Sequence, residues 1–112
     1  MRNALALPLC LFLAFMMHPV QAASFDCARA KSASERLICG DARLSDLDGK
    51  LGSLYRERLA LLSPQGANLL RQSQRSWLAF ANRTCLAVKP RGTWDEDSTS
   101  CLRRRYEERM KD

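Results

Sequence analysis

Between Ala23 and Asp112 the only β-branched aliphatic residues are Ile38 and Val88, whereas leucine, alanine, arginine and glutamate recur throughout. Strands draw on β-branched and aromatic side chains and helices on the second set. The expected fold class is therefore all-α.

Periodicity divides the chain. Ser34 to Cys39 reads as one or two helical turns, with Ser34 as N-cap and Leu37 and Ile38 facing inward. Leu44, Leu47, Leu51, Leu54, Tyr55, Leu59 and Leu62 then recur at steps of three and four, which predicts an amphipathic helix from Asp41, its cap, to about Leu62. Ser63-Pro64 suits the cap and first position of a second long helix, because proline lacks only an N–H that the first turn leaves unbonded. That helix carries Leu70, Gln74, Trp77, Leu78, Ala81 and Cys85 on one face, and the short connection predicts an antiparallel helical hairpin. Lys89 to Ser100 has the composition of a loop, and Cys101 to Met110 reads as a last helix capped by Ser100. Gly49 and Gly52 interrupt the first long helix, each at a cost of about 1 kcal/mol relative to alanine.

The first 22 residues have the layout of an export leader: Arg2, an apolar stretch from Ala4 to Met17, and Val20-Gln21-Ala22 as a small-residue cleavage site. The apolar stretch is short of the roughly 20 residues that a membrane span requires. Cys10 lacks the small residues that precede a lipidated cysteine. The domain organisation expected is thus a signal peptide, 1–22, and one helical domain, 23–112, periplasmic or secreted and without a transmembrane segment after cleavage. Cleavage lowers the formal net charge from +6 to +5 and leaves 17 basic residues, 12 acidic ones, four cysteines and no histidine.

In an oxidising compartment four cysteines in so small a domain point to disulfides. Cys27, Cys39, Cys85 and Cys101 allow three pairings. Cys27 with Cys39 and Cys85 with Cys101 is preferred, since each then closes a short loop near one end of a helical segment. A zinc site is disfavoured, because the ligand spacings of structural zinc sites are absent and no histidine remains. The expectation is no metal and no cofactor.

Catalysis is hard to build from this residue set. Ser-His-Asp and Cys-His arrangements need a histidine, and no glycine-rich phosphate loop occurs. A glycosidase needs two carboxyls facing across a cleft, whereas Asp46, Asp48, Asp95, Glu96, Asp97, Glu107 and Glu108 fit a solvated surface better. The chain is not expected to be an enzyme. Asp48 is the exception among these acids, because it shares the face of Leu44, Leu51 and Tyr55 and so needs a partner there. A neighbour such as Arg75, or the Trp77 indole, is the expected partner, with direct contact to a partner protein as the alternative, and Asp48, Tyr55, Gln74 and Trp77 are read as structural.

Phe25-Asp26-Cys27, Leu37-Ile38-Cys39, Leu44-x-x-Leu47-Asp48-x-x-Leu51-x-x-x-Tyr55, Gln74-Arg75-Ser76-Trp77-Leu78 with Cys85, and Cys101-Leu102 with Arg109 occur in that order. The whole pattern resembles the lysozyme inhibitor LprI-like N-terminal domain family. The resemblance implies a bacterial exported domain, small, helical and disulfide-bearing, that acts by occluding a lysozyme. The family's usual Arg-Asp pair before the third cysteine is replaced here by Phe80-Ala81-Asn82-Arg83-Thr84.

Charge bears on the partner. Animal lysozymes are generally basic, so an inhibitor at +5 needs an acidic patch to make contact. Trp94 with Asp95, Glu96 and Asp97 is the segment that offers one, as an aromatic anchor beside complementary charge. Conversely, Arg103, Arg104, Arg105 and Arg109 form a basic run on the last helix. The alternative function is therefore an envelope adaptor binding anionic polymer or membrane surface. Nucleic acid is not expected as a partner, since export removes the chain from it and no recognition motif is present.

Overall fold

The computed structural model describes residues 23–86 and 96–112, apart from the side chains of Glu96 and Asp97. The leader assigned to residues 1–22 and its cleavage site lie outside the described residues, as do Trp94 and Asp95. Among the described residues there is a 3-10 turn, Cys27–Arg29, followed by four helices: α1, Ala33–Gly40; α2, Ala42–Leu61; α3, Pro64–Cys85; and α4, Glu96–Arg109. No described helix is long and apolar enough to cross a membrane.

Side chains fix the starts of the 3-10 turn and of α1 to α3. Asp26 accepts the Ala28 N–H and so holds the 3-10 turn. Asp41 accepts the Leu44 N–H at 2.8 Å and caps α2, and Ser63 accepts the Gly66 N–H ahead of Pro64 in α3. These satisfy donors that the first turn of a helix leaves open.

Two expected boundaries move. α1 is capped by Ser32, whose hydroxyl accepts the Glu35 N–H, and not by Ser34. The Ser32 register wins because Glu35 then reaches back to the Lys31 N–H, so two backbone donors are satisfied reciprocally. α4 begins at Glu96, five residues before the expected start, and takes Ser100 into its interior. Acidic residues in a first turn favour the positive end of the helix dipole. A composition that reads as loop therefore also suits a helix start.

The larger departure concerns packing. The two-residue link Leu62-Ser63 joins α2 to α3, but α4 covers most of the inward face of both, and α2 and α3 meet each other only slightly. The core is accordingly built from Ile38, Leu44, Leu47 and Leu51 on one side, Ala81 and Cys85 on the other, and Leu102 and Tyr106 between them. Leu44 and Leu102 are fully buried, each contributing about 1.5–3 kcal/mol by removal from water. Beyond Leu51 the apolar stripe of α2 is half-buried at Leu54, Tyr55 and Leu59, and the large apolar residues left in solvent lie at its end and on α3. Leu62, Leu69, Leu78 and Phe80 are exposed and Leu61 is 86% exposed.

The disulfides are Cys27–Cys39 and Cys85–Cys101, with Cα separations of 5.7 and 5.5 Å. The first ties the 3-10 turn to the end of α1, and the second ties the end of α3 to α4. Loops of this length imply about 3 kcal/mol each in the chain-entropy model.

Candidate functional site

Asp48 is buried at 8% exposure on α2, facing α4 and the N-terminal segment. Its Oδ2 accepts the Ser24 N–H at 2.7 Å and the Ser24 hydroxyl at 2.6 Å, and its Oδ1 accepts the Tyr106 hydroxyl at 2.7 Å. Neither Arg75, which is exposed, nor the Trp77 indole supplies a donor, because α4 rather than α3 lies over this face of α2. Burial, and then the Asp48 charge, push the Tyr106 phenol well above its usual range, so it stays a donor.

Trp77 packs edge-on against Tyr106, with ring centroids 5.1 Å apart at 86°. Arg109 lies over the Trp77 ring, 5.9 Å from its centroid, and donates to the Gln74 amide oxygen and to the Ser73 hydroxyl. One helical turn earlier, Arg105 lies over Phe80 and pairs with Glu108. Trp77 thus belongs to the α3–α4 seam, where Gln74 also bonds Arg109.

The basic run divides around the helix. Arg103 turns toward α2, where its Nε donates to Asp41 at 3.2 Å alongside a second bond from its terminal nitrogen. That guanidinium, together with the Leu44 N–H, holds the Asp41 carboxyl below its ordinary range. Arg104 is exposed. Arg105 and Arg109 lie along α3 as described, so three of the four arginines make contacts within the protein.

Where α2 and α3 diverge, two adjoining cavities share Leu51, Tyr55 and Gln74 as walls. One, of about 150 Å³, runs toward Arg58, Arg109 and Asp112. The other, of about 290 Å³, reaches Asp48, Ser24, Gly52 and Arg56. Tyr55 is half-buried between them. Two further acids of the helices are paired at 2.9 Å each: Asp46 with Lys50 within α2, and Glu107 on α4 with Arg43 on α2. Among the described residues no group of three or more metal-ligating side chains occurs.

Several of these partners were invisible in the sequence. Tyr106 shares helical spacing with Leu102 and Met110, which marks it as inward but not as the donor to Asp48. Ser24 carries no sequence signal at all. The acidic segment is placed only in part: Glu96 and Asp97 open α4, and their side chains, like Trp94 and Asp95, are outside the described residues.

A family model described as Lysozyme inhibitor LprI matches residues 27–112. No curated protein and no solved structure matches the chain.

Proposed function

The chain belongs to the lysozyme inhibitor LprI family, and from that premise we propose that it is an exported inhibitor that occludes the cleft of a lysozyme without chemistry of its own. The family match carries this reading. Two disulfides support export to an oxidising compartment, and with it cleavage after Ala22. Disulfides tie the 3-10 turn to α1 and α3 to α4, and such cross-links lower the ordering cost of association.

The contact is assigned to the segment from Trp94 to Asp97. It lies in sequence between Cys85 and Cys101, whose disulfide joins α3 to α4. It also supplies the negative charge that a basic target requires. The adaptor reading has less support, since Arg103, Arg105 and Arg109 make contacts within the protein.

The test is a turbidity assay of lysozyme action on bacterial cell walls, with oxidised protein, several lysozyme types and two salt concentrations. Inhibition of at least one type that survives high salt is expected. No inhibition of any type overturns the proposal, and binding to the cell walls that vanishes with salt favours the adaptor.

A further inference from the structure

Asp48 is a buried carboxylate whose three donors are all neutral: the backbone N–H and hydroxyl of Ser24, and the hydroxyl of Tyr106. Among the described residues it makes no ion pair. Arg56 lines the same cavity, but its guanidinium donates to the Ser53 hydroxyl instead. A charge held out of water without a counter-charge is costly, and neutral donors offset that cost only in part.

The residue ahead of Ser24 is Ala23, itself buried in the core cluster. Bond lengths keep its nitrogen within about 3.6 Å of the Ser24 nitrogen, and so within about 6.5 Å of the Asp48 oxygen that the latter touches. Opposite charges interact appreciably at that range. Gly52 makes the approach of this segment possible, because a Cβ there would stand 2.7 Å from the Ser24 Cβ.

We infer that Asp48, with Ser24 and Tyr106, forms an ammonium-binding site whose occupant is the chain's own N-terminus after cleavage. Hydrolysis of the Ala22–Ala23 bond adds water across it: hydroxyl to the Ala22 carbonyl carbon, hydrogen to the Ala23 nitrogen, which takes up a further proton. An uncharged amide nitrogen thereby becomes the cation that Asp48 lacks. A cavity of about 290 Å³ is lined by Asp48 and by Ser24, the residue next to the one that carries the new ammonium. The site rests on the export reading above, and it makes the folded domain sensitive to the residue at which the chain is cut. A cut displaced by one residue moves the charge by about 3.8 Å.

The described core draws on residues from Ala23 onward, so the test uses oxidised chains released from a carrier with fixed starts. One begins at Ala23, and one carries Gly-Ser ahead of it. The extension is expected to lower the melting temperature by about 4–8 °C, the shift that accompanies an about fivefold loss in the folding equilibrium constant of a domain of this size, and by less than about 1 °C when both chains carry Asp48→Asn. Equal melting of the two starts, or an equal drop in both backgrounds, overturns the inference. Should Asp48→Asn fail to fold, acylation of the α-amino group at neutral pH, read on the N-terminal peptide, decides in its place. The Ala23 amine is expected to react about tenfold more slowly than the extended one, and equal rates overturn the pairing. The intact mass of the naturally exported protein separately fixes the cut: a start other than Ala23 overturns the processing claim, whatever the melting shows.

Discussion

Tyr106 on α4 donates its hydroxyl to Asp48 on α2 at 2.7 Å, inside the core and across 58 positions of sequence. The bond sits where a leucine would be expected from the spacing of Leu44, Leu47 and Leu51, so it sets how α4 lies on α2. Tyr106→Phe keeps the ring against Trp77 and removes one donor from a buried charge, which costs about 1–3 kcal/mol. A melting temperature lower by roughly 4–20 °C is expected for a domain of this size. Unchanged melting would show that the Ser24 donors suffice.

Gly52 gives a prediction whose sign is diagnostic. In an exposed helix, Gly→Ala stabilises by about 1 kcal/mol through propensity alone. Here the added methyl meets the Ser24 Cβ at 2.7 Å, and that atom belongs to a segment clamped onto Asp48. Gly52→Ala is therefore expected to destabilise by about 1–3 kcal/mol. A rise in melting temperature on denaturation followed by circular dichroism would sink the close-approach reading.

Asp41 both caps α2 and pairs with Arg103, and variants separate the two roles. Asp41→Ala loses both, with the cap alone worth about 1 kcal/mol, whereas Asp41→Asn keeps a good cap and loses the charge. Because the Arg103 bond and the Leu44 N–H lower the folded-state pKa, the unfolded chain binds more protons in the acid range. Stability from this group is thus complete above the unfolded value near 4 and declines as pH falls through the lower folded value. Urea titrations between pH 2 and 6 should show the stability gap between the native protein and Asp41→Asn narrowing toward the acid end. A gap constant with pH would discard the pairing as its source.

Helical content, the long helices and the proline-started α3 were legible because spacing and capping chemistry are local. Asp41 and Ser63 stand one residue from the starts they were expected to cap. Which helix covers which was not legible. A stripe of leucines on α2 and a Trp-bearing face on α3 read as partners for each other, yet α4 takes most of both, and the stripe beyond Leu51 is only half-buried until Leu62, which is exposed. The Asp48 site failed for the same reason: its misplaced charge was visible, but its donors come from 24 and 58 positions away. The arginine run shows the limit of reading charge as surface, since consecutive residues on a helix point about 100° apart and Arg103, Arg104 and Arg105 meet three different environments.

The two disulfides should differ in their effect on inhibition. Cys27–Cys39 ties the 3-10 turn to α1, remote in sequence from the acidic segment, whereas Cys85–Cys101 brackets that segment and holds α4 to α3. Either pair replaced by serine lowers stability by about 3 kcal/mol. Opening the second also lengthens the reach of residues 94–97, so the contact pays additional ordering entropy on binding. At a temperature where both double variants remain folded, Cys85→Ser with Cys101→Ser is expected to weaken lysozyme inhibition at least tenfold, and Cys27→Ser with Cys39→Ser by less than about threefold. Replacing Asp95, Glu96 and Asp97 with alanine should abolish inhibition, because it removes the negative charge that a basic target requires. Equal inhibition by both disulfide variants, or full potency of the alanine variant, would move the contact away from this acidic segment and toward the exposed leucines at the α2–α3 turn.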